Sequence, residues 1–265
     1  MFFQADNAYS VRQHLDNEEP CLQVSSLSKT FVGRGTILSD ISFSITKGDA
    51  VALIGGNGSG KSTLLRCCLR LVEPDHGKIS FLKEDVISLN RPDLRRFRSR
   101  VGLVFQRHNL VPRLTVLTNV IHGAMGRIGG GPQSWWQSIA SRQMREEAMD
   151  FLDKVGLSHL AASRADQLSG GESQRVAIAR ALMQKPDFMM ADEPVASLDP
   201  KVGREVMDLL VELIHEKEIT LVFVSHDLEH AIHYSTHLLG LQKGKLVMNG
   251  KTDVLRHGDL HEIYN

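Results

Sequence analysis

The sequence lacks an excess of charge of either sign. Its 265 residues include 31 lysine and arginine side chains and 31 aspartate and glutamate side chains. Proteins that are drawn by their overall field to nucleic acid or to an anionic membrane carry a surplus of basic residues. Specific contacts with partners, and not the overall charge, would therefore recruit the protein. We expect no nucleic-acid partner.

Long apolar runs and cysteines are also scarce. No apolar stretch approaches the roughly 20 residues of a membrane-spanning helix, and the start, MFFQADNAYSVRQ, lacks the basic segment and apolar run of a secretion signal. The three cysteines, Cys21, Cys67 and Cys68, form no CxxC pair. We expect a cytoplasmic protein whose cysteines are reduced and pack as small apolar residues.

What the sequence does contain is a set of short strand patterns. Apolar residues alternate with polar ones at Leu22 and Val24 and again from Ile41 to Ile45, as in half-buried strands. Continuous apolar runs are typical of parallel strands covered on both faces, and they occur at Ala50–Ile54, Phe188–Ala191 and Leu221–Val224. In open α/β sheets, ligands bind at the carboxyl ends of such strands.

The strand pattern is interrupted in the middle of the chain. From about 107 to 185 it gives way to helical runs, such as Arg142–Val155 and Ser173–Met183. Residues 1–20 are polar, have no periodicity and end at Pro20, which predicts a loose leader. We therefore predict a leader at 1–20 and one α/β domain at 21–265. Its core comprises 21–106 and 186–265, with a helical subdomain at 107–185 inserted.

A glycine loop follows the first apolar run. It matches GxxxxGK[ST] between a predicted strand and a predicted helix, the context in which this motif binds phosphates. Its backbone N–H groups and the helix N-terminus would face the phosphates. Lys61 would hold the β- and γ-phosphates, and Ser62 would bind Mg²⁺. The alternative is a turn that only connects strand to helix. The loop consists of Gly55, Gly56, Asn57, Gly58, Ser59, Gly60, Lys61, Ser62 and Thr63.

Two carboxylates follow the second apolar run. Asp192 would hold Mg²⁺ through its water shell, and Glu193 would orient and activate the attacking water. Adjacent residues of a strand point to opposite faces, so the two side chains would take separate roles. The alternative is a solvated acidic pair at a strand end.

A histidine follows the third apolar run, at Ser225-His226-Asp227. His226 would donate to the γ-phosphate, although a histidine at a strand end is more often structural. Histidines also recur at helical spacing, which leaves a metal site as an alternative. These are His226, His230, His233 and His237.

A second helix start combines Ser169 with Gly170 and Gly171, before an Ala- and Leu-rich helical run. A serine cap, free N–H groups and the helix dipole favour phosphate oxygens there. An ordinary capped helix is the alternative. Spacing alone leaves open whether this end faces the chain's own nucleotide or another molecule's.

Taken in order, these motifs resemble those of the ABC ATPases, and the likeness covers nearly the whole chain after residue 20. It implies a P-loop NTPase (RecA-like) core with a helical insertion and an antiparallel β subdomain, and it implies a head-to-tail dimer that encloses ATP and Mg²⁺. It also implies roles for Gln106 as catalytic and Mg²⁺-binding, Glu172 and Asp199 as nucleotide-binding, and Phe31 as the ring that stacks on adenine. A core phenylalanine is the alternative for Phe31. The motifs are Gly55–Thr63, Gln106, LSGGESQ at 168–174, ADEP at 191–194, SLDP at 197–200 and Ser225-His226.

Within this family, the stretches 106–120, 175–184 and 191–200 and the Trp135-Trp136 insertion are similar to the ATPase subunit of phosphonate importers. Gly56, Glu172-Ser173 and Ser225-His226-Asp227 depart from the usual residues. The resemblance implies a peripheral subunit on the cytoplasmic face of the inner membrane, with permease partners and, indirectly, a solute-binding protein. Phosphite or hypophosphite import, a lipoprotein-release or export cassette, and a soluble non-transport ATPase are the alternatives.

Two surface features have two interpretations each. The basic cluster of Arg95, Arg96, Arg98 and Arg100 would meet phospholipid or nucleic acid, or would form a solvated helix face, which is the commoner case. Trp135 and Trp136 would contact a partner or fill the core of the helical subdomain.

Overall fold

The computed structural model describes residues 20–128 and 140–253. Ten strands are present in this part of the chain: β1 Pro20–Phe31, β2 Gly35–Thr46, β3 Ala50–Ile54, β4 His76–Phe81, β5 Glu84–Asp85, β6 Val101–Phe105, β7 Phe188–Asp192, β8 Thr220–Val224, β9 His237–Gln242 and β10 Lys245–Lys251. The α-helices of the same part are α1 Lys61–Cys68, α2 Arg91–Arg98, α3 Val116–Ile121, α4 Arg142–Lys154, α5 Gly170–Met183, α6 Pro200–Glu216 and α7 Leu228–Tyr234.

The larger sheet contains the three continuous apolar runs as neighbouring strands. Its order is β10-β9-β3-β8-β7-β6, and all pairings are parallel except that of β9 with β10. The prediction of central strands at β3, β7 and β8 is confirmed. Because these strands are parallel, their carboxyl ends meet at one edge of the sheet.

Successive residues of the central strands face different layers. In β3, Ala52 and Ile54 belong to a hydrophobic cluster that includes residues of α3, α4, α5 and α6. Val51 and Leu53 belong to the opposite cluster, which is shared with α1 and the smaller sheet. Burial on both faces explains why these strands are continuously apolar instead of alternating.

The smaller sheet is antiparallel, with the order β2-β1-β4-β5. The second cluster buries Leu22, Val24 and Ile41, whereas their chain neighbours Gln23 and Ser42 are exposed. The alternation seen in the sequence is therefore a half-buried sheet, as predicted. Together the two sheets and the helices form the predicted class, an α/β P-loop core with a helical insertion and an antiparallel β subdomain.

Among the described residues, the α-helices α3, α4 and α5 fall between β6 and β7. They pack closely: a Cβ atom added to Gly123, just after α3, would lie 2.0 Å from the carbonyl oxygen of Arg180 in α5. Glycine at 123 therefore permits the contact between the two helices. The division of the chain at 106–107 and 185–186 stays a prediction.

Some expectations concern residues outside the described ranges. The leader and Trp135 and Trp136 belong to this group.

Within the described ranges, no helix combines the length and apolarity that a membrane span requires. Cys21, Cys67 and Cys68 are free and buried, as expected of small apolar residues.

Two members of the basic cluster bind within the chain, and the other two, Arg95 and Arg96, are exposed. Arg98 of α2 donates to the carbonyl oxygens of Leu69 and Arg70, and Arg100 forms an ion pair with Asp187 at 2.7 Å. This arrangement favours the interpretation as part of a solvated face over a binding patch.

The core predicts a stability effect at Phe188. Its ring is fully buried and meets the ring of Phe81 edge-to-face, with centroids 5.8 Å apart. We expect Phe188→Ala to lower the free energy of unfolding by about 3–5 kcal/mol, because it removes a large buried side chain and leaves a cavity. Urea denaturation measures the loss. Leu71→Ala is the control, since Leu71 is 48% exposed and its loss should cost less than about 1 kcal/mol. Equal losses in the two variants would contradict the assignment of the core.

Candidate functional site

The residues singled out in the sequence lie at the carboxyl edge of the larger sheet. The glycine loop, Gly55–Thr63, follows β3, and Asp192 is the last residue of β7. His226 follows β8, and Gln106 follows β6. Four neighbouring parallel strands thus deliver polar residues to one place, which is where open α/β sheets bind ligands.

The glycine loop has a backbone that other residues would not adopt without strain. Gly55, Gly58 and Gly60 have φ angles of 146°, 76° and 107°. A Cβ atom at Gly55 would lie 2.1 Å from the carbonyl oxygen of Leu241 in β9. Gly56, in contrast, has open space around it, so its departure from the family's usual residue does not arise from a steric need for glycine.

Lys61 lies inside this loop. Its Nζ donates to the carbonyl oxygens of Gly55 at 2.8 Å and of Gly56 at 3.0 Å. Burial lowers the pKa of the Lys61 ammonium, although the neighbouring carboxylates of Glu193 and Asp192 act in the opposite direction. The loop therefore encloses a cation that has lost much of its water.

Ser59 has a side-chain oxygen that is buried without a hydrogen-bond partner. Buried polar atoms without partners are rare in folded proteins and call for an explanation. Its position in the glycine loop fits a ligand with polar oxygens, such as a phosphate.

Asp192 meets the first turn of α1. The Ser62 hydroxyl donates to its Oδ1 at 3.1 Å. Burial is the main cause that raises the pKa of the Asp192 carboxyl, and the nearby Glu193 raises it further. A hydroxyl and a carboxylate are hard oxygen donors of the kind that Mg²⁺ prefers, so this pair fits a magnesium site.

Glu193 departs from the expected strand geometry. The strand ends at Asp192, and Glu193 has a φ angle of 51°, in the left-handed region. The expectation that both acids are neighbours on a strand is therefore wrong: Glu193 lies in a left-handed turn just after the strand. The turn lets Glu193 Oε1 lie 2.5 Å from His226 Nε2.

The spaced histidines do not gather around one point. His230 and His233 contact the ring of Tyr234, with centroids 5.3 and 4.6 Å from it, and His237 Nε2 lies 2.7 Å from Asn249 Oδ1. In the described ranges, no three His, Cys, Asp or Glu side chains are grouped as metal ligands. The geometry gives no support to a histidine metal site.

The second predicted anion site is the start of α5. Ser169 is its N-cap, and the Ser169 N–H and hydroxyl donate to Glu172 Oε2 at 2.8 and 2.7 Å. These two hydrogen bonds lower the pKa of the Glu172 carboxyl. The predicted capped helix start is present, with Gly170 and Gly171 in its first turn, where backbone N–H groups have no partner within the helix.

The helix start of α5 packs against Leu198, which precedes α6, and against Val202 in the first turn of α6. A Cβ atom on Gly170 would lie 3.1 Å from Leu198, and one on Gly171 would lie 2.5 Å from Val202. Asp199 caps α6 by accepting from the N–H of Lys201 at 2.9 Å. Among the described residues, no hydrogen bond joins Ser169–Gly171 to the glycine loop of the same chain.

Phe31 and Gln106 lie outside these contacts. Phe31 ends β1 with a partly exposed ring and belongs to neither hydrophobic cluster, so it is not the core phenylalanine that was the alternative. Gln106 lines a cavity of about 420 Å³ together with Ser173 and Ser197. The nucleotide-binding roles of both residues stay predictions.

Sequence reasoning missed two polar side chains of the helices. Asn119 in α3 and Arg180 in α5 both bind the backbone of the loop that follows Gln106. Each stands within an apolar helical pattern and within one of the stretches 106–120 and 175–184 that resemble the phosphonate importers, but the resemblance assigned neither residue a role. Only the packing of the helices against the loop reveals their contacts.

A glycine loop between a parallel strand and a helix, with an enclosed lysine and a serine bound to a strand-end aspartate, defines a P-loop nucleotide-binding protein. The sequence model described as ABC transporter matches residues 38–196. The chain belongs to the ABC transporter family.

Curated relatives and solved structures agree with this assignment. The chain is 42% identical to the phosphonates import ATP-binding protein PhnC of Alcaligenes faecalis, over 92% of this chain and 87% of the relative. It is 40% identical to PhnC of Treponema denticola, over 91% and 93%. The structure of cbiO1 from Clostridium perfringens, part of the ABC transporter complex cbiONQ, superimposes with a TM-score of 0.79 at 29% identity, over 92% of this chain and 94% of that one. The dimeric cassette MJ0796 bound to ADP and Pi gives a TM-score of 0.75 at 32% identity, over 87% and 98%.

The backbone of the glycine loop predicts different outcomes at two adjacent glycines. We expect Gly55→Ala to destabilise the fold by about 2 kcal/mol or more, because the new Cβ meets the Leu241 carbonyl oxygen and alanine disfavours a φ of 146°. Gly56→Ala should leave the melting temperature nearly unchanged, because its Cβ meets nothing within 4 Å. Thermal unfolding followed by circular dichroism compares the two variants. Similar melting temperatures would contradict the described loop conformation.

Proposed function

We propose that this chain is the ATP-hydrolysing subunit of an importer that carries phosphonate, or the related phosphite or hypophosphite, across the cytoplasmic membrane. The chain is an ATPase of the ABC family. The observation that carries the proposal is the meeting of Lys61, the Ser62–Asp192 pair and the Glu193–His226 pair at one sheet edge. The names of the similar relatives support the cargo.

The glycine loop would hold the phosphates of ATP. Its N–H groups and the N-terminus of α1 would bind the phosphate oxygens, and Lys61 would exchange the Gly55 and Gly56 carbonyls for the β- and γ-phosphates. The partnerless Ser59 hydroxyl lies in the same loop. Phe31 would stack on the adenine, for which a partly exposed ring is suited.

Mg²⁺ would be held by Ser62 directly, by Asp192 through its water shell, and by Gln106. When bound, Mg²⁺ would neutralise charge that develops on the phosphates. Burial, and then the neighbouring Glu193, raise the pKa of Asp192, although Arg66 and Lys61 act in the opposite direction. A divalent cation would add a further positive charge beside the carboxylate.

Glu193 would accept a proton from the attacking water, and His226 would keep its carboxylate in place. The 2.5 Å contact between their side chains fixes the orientation of the base. His226 would also donate to the γ-phosphate. The same imidazole would then contact both the base, Glu193, and the γ-phosphate, so the position of Glu193 would depend on whether the γ-phosphate is present.

Ser169, Gly170 and Gly171 would bind the γ-phosphate held by a second copy of the chain. Glu172 holds the serine in its capping position, and its own N–H donates to the Ser169 hydroxyl oxygen. The N–H groups of Gly170 and Gly171 would therefore be the ones to meet an anion. Asp199 would contribute to the same interface, because its segment packs against this helix start. The dimeric cassettes among the structural relatives support a head-to-tail dimer.

The dimer would work on the cytoplasmic face of the inner membrane with transmembrane permease subunits, and indirectly with a solute-binding protein. The loop after Gln106 would pass the opening and closing of the dimer to the permease. None of the proposed site residues contacts cargo in this scheme, so cargo recognition would belong to the partner subunits.

The role of Glu193 predicts a trapped state. We expect Glu193→Gln to bind ATP and form a stable dimer while its kcat falls by about a thousandfold, because the amide cannot accept the proton from water. Size-exclusion chromatography with ATP and a phosphate-release assay measure the two effects. Hydrolysis at the unaltered rate would remove Glu193 from this role.

The Glu193→Gln background also tests the second anion site, at Ser169–Gly171. Asparagine caps helices about as well as serine but lacks the hydroxyl. We therefore expect Ser169→Asn, added to Glu193→Gln, to keep the melting temperature while weakening the ATP-dependent dimer about tenfold. Lys61→Ala is the matched control that should abolish nucleotide binding altogether. A dimer of undiminished affinity in Ser169→Asn would place the interface elsewhere.

The cargo is tested by transport. Vesicles containing the chain, its permease and its solute-binding protein should take up labelled phosphonate on addition of internal ATP, and Lys61→Ala should stop uptake. Competition by phosphonate, phosphite and phosphate ranks the candidates. If none of the three competes with uptake, or if uptake of phosphonate is absent in active vesicles, the cargo assignment is wrong.

A further inference from the structure

The loop after β6 leads from the larger sheet to the helices. We name residues 106–111 the connecting loop; it begins at Gln106, just after β6 ends at Phe105, and α3 begins at Val116. Because β6 lies in the sheet and α3 in the helical layer, this loop is one of two connections between the sheet and the helices α3 to α5, the other being 184–187 between α5 and β7. Relative movement of the layers must be taken up at these connections.

Arg180 binds two successive carbonyl oxygens of the connecting loop. Its Nη2 donates to His108 O at 2.7 Å, and its Nη1 donates to Asn109 O at 2.6 Å. Asn109 has a φ of 51°, so the backbone turns where the two carbonyls meet the guanidinium. Two separate guanidinium nitrogens each meet one carbonyl oxygen, whereas a lysine would have to serve both from a single nitrogen, as Lys61 does in the glycine loop, and would therefore change the geometry.

Asn119 fixes the far end of the connecting loop. Its side chain accepts from the N–H of Val111 at 2.7 Å and donates to the carbonyl oxygen of Val111 at 3.2 Å. Asn119 is 1% exposed, so these contacts are shielded from water. From His108 onward, the loop is therefore bound to α3 and α5.

The helix that carries Arg180 also carries the second anion site. Arg180 lies ten residues after Gly170 in α5, which spans Gly170–Met183 without interruption. At about 1.5 Å per residue, the two positions are about 15 Å apart along one rigid element. A displacement of the helix start therefore moves the guanidinium, and with it the connecting loop.

Placing the Arg180 charge away from water costs free energy unless polar partners compensate for the lost hydration. Burial lowers the pKa of Arg180, and no carboxylate of the described residues opposes that effect. The half-buried guanidinium loses part of its hydration, which an apolar side chain of similar size would not lose. The contacts to His108 and Asn109 are what the arginine gains in return.

We propose that Arg180 is a positioning residue for ATP hydrolysis. It fastens the connecting loop to α5, so that Gln106 and Ser169–Gly171 reach their working positions together. The inference rests on the proposed function of these residues and adds the side chain that joins them.

Arg180→Lys tests the inference in the full-length chain. The variant keeps the positive charge but loses the two-pronged contact. We expect kcat to fall about tenfold and the KM for ATP to stay within about twofold, because the glycine loop is untouched. The Mg²⁺ concentration for half-maximal activity should rise, since Gln106 is a proposed Mg²⁺ ligand. In the Glu193→Gln background, the ATP-dependent dimer should weaken about tenfold.

Arg127→Lys is the matched control. Arg127 also lies among the helices, but its ion pair with Glu147 at 2.8 Å is distant in sequence from the connecting loop and can be kept by lysine. We expect this variant to match the unaltered chain in kcat and in its Mg²⁺ requirement. Fluorescent mant-ATP binding and thermal melting, measured on all variants, separate positioning from folding.

The outcomes distinguish the inference from the function on which it rests. An Arg180→Lys variant with unaltered kcat and dimer affinity would overturn the positioning role. So would a variant whose mant-ATP affinity and melting temperature fall in parallel with kcat, since that pattern marks a purely structural arginine. If the unaltered chain neither hydrolyses ATP nor forms a dimer with Glu193→Gln, the proposed function fails and the inference fails with it.

Discussion

The site depends on the parallel register of the central strands. Leu53 of β3 is paired with Val224 of β8, and Phe105 of β6 is paired with Asp192 of β7, so the strands end almost in step. The polar residues that follow each strand therefore share one edge. A parallel sheet requires cover on both faces, which the helices and the smaller sheet supply. The position of the site thus follows from the burial of short apolar strands.

Burial also sets the electrostatics of this edge. It lowers the pKa of Lys61 and raises that of Asp192, so both groups are moved toward their neutral forms despite their proximity. Each side chain therefore gains stability in its charged form when an ion of opposite charge arrives. A polyanion beside Lys61 and a divalent cation beside Asp192 would satisfy both at once. The chemistry of a magnesium-bound triphosphate matches this pair of needs.

Much of this arrangement could be predicted from the sequence, because local patterns specify it. Continuous apolar runs gave the three central strands, and Ser169 before two glycines indicated a helix start that the capping contacts with Glu172 confirm. The turn at Glu193 could not be predicted, since glutamate does not favour a φ of 51° and its contact partner, His226, lies 33 residues away in the chain. The contacts of Arg180 could not be predicted for a similar reason, because its partners are carbonyl oxygens more than seventy residues away in the chain.

The hydrogen bonds between the helices and the connecting loop determine how movement between the sheet and the helices affects that loop. The helices α3 to α5 share one hydrophobic cluster with a face of the larger sheet. Apolar packing is non-directional, so a small sliding of helices over the sheet preserves most of its stabilisation. The hydrogen bonds of Arg180 and Asn119 to the connecting loop lack this tolerance, because they weaken steeply with distance and angle. Sliding would therefore be transmitted to the loop that carries Gln106, while the core stays packed.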